Sequence, residues 1–366
     1  MRAAAGRLLI VGFDGTSLSP GLGSLLNKIQ PAGVILFARN ILSGQQTCQL
    51  LKQCQRQVRE PLFTCVDLEG GRVDRLRNLT GPAPSAADVF RTGDRSLYRR
   101  HGAIIGKICS ALGFNVDFAP VLDLALEASR QVMNSRSVSA SPEEVIAFAG
   151  EFLAGLASAK VIGAGKHFPG LGEGRLDSHR DLPVIRKPFE KLWAEDLVPY
   201  RRMRRELRMV MVGHANYPAL TRDRQPASLS KQWITEILRR KIGYRGLVVS
   251  DDLEMGGVLR AAPIAQAAVE FIAAGGDLAL VCREQKNVEA AFEAIVKTAE
   301  RDRGFRRRVN ESAKRVAALK QASPQLKRRA PGPSPEKINR LSTELWEFSE
   351  RVRLSSLASV ARAEAS

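Results

Sequence analysis

The chain has 366 residues, 44% of them hydrophobic, and a formal net charge of +18. That length and apolar content support one large buried core and exclude a disordered or fibrous chain. The amino-terminal MRAAAGRLLIVGFDG lacks the apolar core and cleavage site of a secretory signal, and no apolar run approaches the ~18 residues of a bilayer span. A cytoplasmic location is therefore expected. The five cysteines are an odd set whose spacing matches no metal motif, so they are expected as reduced thiols.

Eight β-rich apolar runs follow one another: RLLIVGFDG, AGVILFARN, PLFTCVDLEGG, FNVDFAPVLDL, VIGAGKHFPG, RMVMVGHANYP, YRGLVVSDDLEM and DLALVCREQ. Helical patterns separate most of them, among them QQTCQLLKQCQRQVRE, SLYRRHGAIIGKICSAL, SPEEVIAFAGEFLAGLASA and APIAQAAVEFIAAG. Ser141 with Glu144 has the spacing of a capping box at a helix start. Alternating strands and helices predict an α/β protein with a parallel sheet, and eight strands favour a closed (β/α)8 TIM-type barrel. An open Rossmann sheet is weakened because no GxGxxG follows the first strand.

Asp67, Asp123, Lys166, His167, His214, Asp251 and Asp252 all fall at the ends of these runs. In a barrel such ends converge on the face that carries catalytic sites. His101 sits within a helical pattern and reads as structural. KHFPGLGEGRLDSH carries Lys166 and His167 into a glycine-rich loop with Asp177 and His179. Imidazole titrates near neutrality and a nearby carboxylate tunes or orients it, so the loop reads as an acid–base device; the plainer alternative is a polar surface loop. In VVSDDLEM, strand alternation predicts that only one of Asp251 and Asp252 faces the mouth, as a metal ligand, base or nucleophile. The positive charge of Lys166 argues against a cation. In VDLEGGRVDRL, Asp67, Glu69, Arg72 and Arg75 surround a Gly-Gly turn, a cluster suited to sugar hydroxyls or to an internal ion-pair network. Arg136 is a loop arginine.

Half the excess charge lies near the C-terminus, where residues 301 to 366 carry 16 Lys/Arg against 7 Asp/Glu, a net of +9. RDRGFRRRVNESAKR predicts a basic helix, QASPQLKRRAPGPSPEK a Pro-rich linker and KINRLSTELWEFSERVRLSSL a terminal amphipathic helix. The expected organisation is a catalytic barrel over 1–320 and an extension of unknown role over 321–366. Basic clusters with few interleaved aromatics read as solvated surface rather than as a nucleic-acid interface.

Taken together, VDLEGGRV, FAPVLDL, KHFPGLGEGRLDSH, HANYPAL with PASLS, and SDDLEM resemble the family 3 glycoside hydrolases, in particular the bacterial β-N-acetylglucosaminidases of cell-wall recycling. The resemblance covers roughly residues 7 to 300. It implies a barrel that removes terminal N-acetylglucosamine from muropeptides with retention of configuration and without a cofactor, in a protein expected to be a monomer. Carried over by motif, it implies Asp251 as nucleophile, His179 as acid–base residue and Asp177 as the carboxylate that orients it. Lys166, His167, Asp67, Arg75 and Arg136 match the sugar contacts. The chain departs from the usual pattern at Leu171, where a second histidine is common, at Glu173, Gly174 and Leu68, and at Val138, where an aromatic is usual. A phosphorylase on the same scaffold and a non-catalytic sugar- or polyanion-binding protein are the competing readings.

Overall fold

A computed structural model describes residues 1–174, 182–221, 225–327 and 331–364, with backbone alone from 358 onward. All eight apolar runs form strands: β1 (Leu9–Val11), β2 (Gly33–Ile35), β3 (Phe63–Val66), β6 (Val116–Asp117), β7 (Ile162–Phe168), β8 (Met209–Val212), β9 (Leu247–Asp252) and β10 (Leu278–Val281). They pair in parallel in that order, and β10 closes on β1 through Leu9↔Ala279 and Val11↔Val281. A hairpin of β4 (Leu68–Gly70) and β5 (Val73–Asp74) leaves the end of β3. Its turn depends on Gly70 and Gly71, both with positive φ; a Cβ on Gly70 would lie 2.2 Å from the Pro84 carbonyl oxygen.

Side chains alternate along each strand, and the alternation sorts them into two cores. Phe63 and Cys65, Val116 and Phe118, Ile162 and Ala164, Met209 and Met211, Leu247 and Val249, and Leu278 and Leu280 fill the barrel interior. The intervening Val210, Val212, Val248, Ala279 and Val281 pack outward beneath the helices. Each buried Val, Leu, Ile, Phe or Met side chain among them contributes ~1.5–3 kcal/mol by leaving water. At the N-terminal end of the strands, Val316 from the helix Arg303–Gln321 and Leu326 close the interior.

The helix Pro142–Ser158 starts at Ser141, but the expected reciprocal cap is absent. Ser139 intervenes: its hydroxyl donates to Glu144 and accepts the Ser141 N–H at 3.0 Å. The terminal helix Pro335–Glu364 packs on helices Arg77–Thr80, Ala86–Arg91 and Arg95–Ala111, burying Leu341, Leu345, Phe348 and Val352. His101 is the core of that contact. Its ring stacks on Phe348 at 5.8 Å, neither ring nitrogen has a hydrogen-bond partner among the described residues, and burial pushes its pKa down to about 3. It is structural, as the helical pattern predicts. All five cysteines are free and buried. Among the described residues, no helix is long and apolar enough to cross a membrane.

Candidate active site

The interior parity continues past the strand ends into a cavity of about 380 Å³ at the C-terminal mouth of the barrel. Two residues beyond Cys65 comes Asp67, beyond Ala164 comes Lys166, beyond Val249 comes Asp251, and beyond Leu280 comes Cys282; all four line the cavity. Its volume falls within the ~300–1,000 Å³ of small-molecule sites.

Two further residues enter by breaking the alternation. Between Gly165↔Val210 and Phe168↔Val212, β7 advances three residues while β8 advances two, which places a bulge at Lys166–His167. The same mismatch occurs in β9 between Val249 and Asp252 opposite Leu278 and Leu280. A bulge re-aims one side chain, so both members of each pair reach the cavity. The expectation that only one of Asp251 and Asp252 faces the mouth is therefore corrected. Strand alternation alone gave the wrong answer there because the strand carries an extra residue.

Charges in the cavity form one connected set. Lys166 Nζ lies 2.9 Å from Asp67 Oδ1 and 2.6 Å from Glu69 Oε1. Arg136 grips Glu69 with two parallel bonds of 2.8 Å, and its Nη2 lies 3.3 Å from His167 Nε2. Burial alone would raise the Glu69 carboxyl, but Arg136 and Lys166 overcome it and hold Glu69 well below the usual carboxylate range. Burial likewise opposes the Lys166 ammonium, yet Asp67 and Glu69 raise its pKa, so it stays charged. Arg75 stands 3.9 Å from Asp67 and over the Phe37 ring; its buried Nε has no hydrogen-bond partner among the described residues.

Asp123 anchors the second bulge member. Its Oδ2 lies 2.7 Å from His167 Nδ1, while Oδ1 accepts the Leu171 N–H at 2.7 Å. Because Arg136 can only donate, His167 is fixed with a proton on Nδ1 toward Asp123 and a lone pair on Nε2. His214, also buried, bridges two other motifs: Nε2 donates to the Asp252 carbonyl at 2.9 Å and Nδ1 meets Ser228 Oγ at 2.7 Å. That link ties HANYPAL, PASLS and SDD into one wall.

The adjacent aspartates titrate apart. Burial opposes ionisation of Asp251, but His214, His167 and the Asp252 N–H, which Oδ1 accepts at 2.8 Å, bring its pKa below the ordinary value. Burial and the negative charges of Glu254 and Asp251 push Asp252 up to about 7. Asp251 is thus an ionised carboxylate facing the cavity, suited to attack an electrophilic carbon or to stabilise a cationic one.

A sequence profile of the glycosyl hydrolase family 3 N terminal domain matches residues 6–319. The chain belongs to that family. It is a glycoside hydrolase, and its fold is the family's barrel. It is 32% identical over 347 residues to a β-hexosaminidase of Idiomarina loihiensis, covering 94% of this chain and 98% of that one. A Pseudomonas aeruginosa β-hexosaminidase is 35% identical over 288 residues, covering 78% and 86%. Among solved structures, a family 3 β-N-acetylglucosaminidase from Paenibacillus sp. superposes with a TM-score of 0.88 at 31% identity, over 95% of this chain and 68% of that chain.

Six residues read from the family 3 motifs, Asp67, Arg75, Arg136, Lys166, His167 and Asp251, meet in one cavity. Asp177 and His179 lie outside the described residues. The chain on either side of them is held at the mouth: Gly174 N–H donates to the Leu171 carbonyl at 2.8 Å, and Asn216 N–H to the Pro183 carbonyl at 2.8 Å. The sequence put Asp123 at the catalytic face and Glu69 in the polar cluster without assigning either a role, and each organises two neighbours. Glu69 had been weighed as an ion-pair residue, which it is, but the ion pairs are those of the site. Arg72 also lines the cavity, but its guanidinium is bound to the Val132 carbonyl rather than to the carboxylates.

Proposed function

We propose that this glycoside hydrolase is a retaining exo-β-N-acetylglucosaminidase that releases terminal N-acetylglucosamine from peptidoglycan fragments in the cytoplasm. The observation that carries the reading is the ionised Asp251, lining one cavity with the Asp67–Lys166–Glu69–Arg136 array. Asp251 attacks the anomeric carbon; the glycosidic C–O bond breaks and the leaving oxygen takes a proton from His179. A glycosyl ester on Asp251 results. Neutral His179 then removes a proton from water, which displaces Asp251 and restores the β configuration. Asp177 orients the imidazole. Asp67, Arg75 and Lys166 hold sugar hydroxyls, with His167 and Arg136 beside them. The β-hexosaminidase and β-N-acetylglucosaminidase names of the relatives support this specificity.

The test is the dependence on leaving group. In His179→Ala, an activated aryl glycoside should lose far less than a substrate with a poor leaving group, because only the latter needs a proton. Equal losses for both would remove His179 from the acid role. Formation of sugar 1-phosphate that depends on added phosphate would make the protein a phosphorylase instead.

A further inference from the structure

The end of the barrel opposite the mouth has a charge pattern of its own. Three cavities open there among the described residues, each lined by residues that immediately precede strands, and none of the three has an Asp or Glu in its lining. The first, of about 230 Å³ before β3 and β6, has Lys52, Arg59 and Lys327. The second, of about 480 Å³ before β6 and β7, has Lys107, Lys160 and Lys337 and shares Gly113 and Asn115 with the first. The third, of about 730 Å³ before β8 and β9, has Arg204, Arg205, Arg208, Arg245 and Arg315. Together they form a basic arc past five consecutive strands of the eight.

Most of these cations are uncommitted. Lys107 pairs with Glu344, and Arg315 with the buried Asp277. Among the described residues the other nine have no ion-pair partner. Such an accumulation of like charge costs the free protein self-repulsion that an anionic partner relieves.

We propose that the base of the barrel docks on an anionic phospholipid surface, with the sugar site facing away from it. Shape selects the bilayer over a nucleic acid. The residues before the strands lie at one end of the barrel and curve round its rim. A stiff duplex, with a persistence length of ~150 bp, meets such an arc only along a chord, whereas a bilayer meets the whole end. The third cavity gives an independent reason. Its floor is apolar, formed by Leu207, Leu247 and Leu319, beneath an arginine rim. Guanidinium forks bind headgroup phosphate while the floor accepts the apolar part of the lipid; a sugar–phosphate backbone has no use for such a floor. Among the described residues, none of the exposed large hydrophobic side chains, such as Trp346 or Leu357, lines these cavities, so the cations dominate attachment and high salt weakens it.

The experiment compares two variants of the full chain, each neutralising four arginines to glutamine. One changes Arg204, Arg205, Arg208 and Arg245 at the base; the other changes Arg91, Arg95, Arg351 and Arg353 on the flank. Hydrolysis of a soluble aryl glycoside, expected to be unchanged in both, reports folding. Binding is measured by co-sedimentation with vesicles of phosphatidylcholine and phosphatidylglycerol in equal parts, with pure phosphatidylcholine vesicles and duplex DNA as the other arms. The wild type should bind the mixed vesicles at low salt and not the neutral ones. The base variant should bind on the order of a thousandfold more weakly, and the flank variant within about twofold of wild type. Equal losses in both variants would reduce the effect to net charge and overturn the proposal. Binding of DNA without binding of mixed vesicles would overturn the choice of partner.

Discussion

At Asp251 burial alone would favour the neutral acid, yet His214, His167, the Asp252 N–H and Lys166 keep it ionised, while Asp252 beside it rises to about 7. Attack on a sugar carbon needs the first of these states. Asp251→Asn is therefore expected to lower kcat by at least about 10³-fold with sugar binding retained, as steady-state kinetics and inhibitor titration would show. Glu69→Gln leaves Arg136 and Lys166 buried without their shared counter-charge, which costs ~3–5 kcal/mol in denaturant unfolding and also raises KM. Titration supplies a further prediction. Asp252 has a folded value of about 7 against an ordinary 3.8, so ionising it opposes folding. Its contribution falls as pH rises from about 4 to about 7 and is flat above. Asp252→Asn should thus raise Tm above pH ~7 and leave it unchanged below pH ~4. His101 has the opposite sign: with a folded value of about 3 below the ordinary 6.5, stability is lost as pH falls through that window.

Strands and helices differed in how much of them could be read. Period-two apolar pairs such as Met209/Met211 and Leu247/Val249 marked the interior and, carried two residues further, led to Asp251. Bulges are invisible to that rule, because an extra residue in one strand shows only against its neighbour; hence the expectation that only one of Asp251 and Asp252 would face the mouth. The hairpin β4–β5 was likewise not distinguished from a turn, since a positive φ at Gly70 and Gly71 is a tertiary demand. Ser141 and Glu144 had the spacing of a reciprocal cap, but Ser139 competes for the carboxylate. The terminal helix shows the benefit of amphipathic patterning: Leu341, Leu345, Phe348 and Val352 lie on one face and are buried. Phe348→Ala, which removes the ring stacked on His101, should cost ~3–5 kcal/mol by denaturant unfolding.

Across the whole molecule, barrel closure brings together residues that are remote in the chain. Lys166 and Asp67 are 99 positions apart and 2.9 Å apart in space. Their strand-end positions were legible, and so was their convergence; which carboxylate each cation would choose was not. The same closure gathers basic residues at the other end, where no motif announced them, because each precedes a different strand. The two faces thus divide the labour, one holding a neutral sugar among balanced charges, the other presenting unbalanced cations. The barrel mouth decides the chemistry. Purified protein on an aryl β-N-acetylglucosaminide, beside Asp251→Asn and the matching β-glucoside, tests it most directly. Turnover that requires both the acetamido group and Asp251 is the expected result; turnover that persists in Asp251→Asn, or that prefers the glucoside, would contradict it.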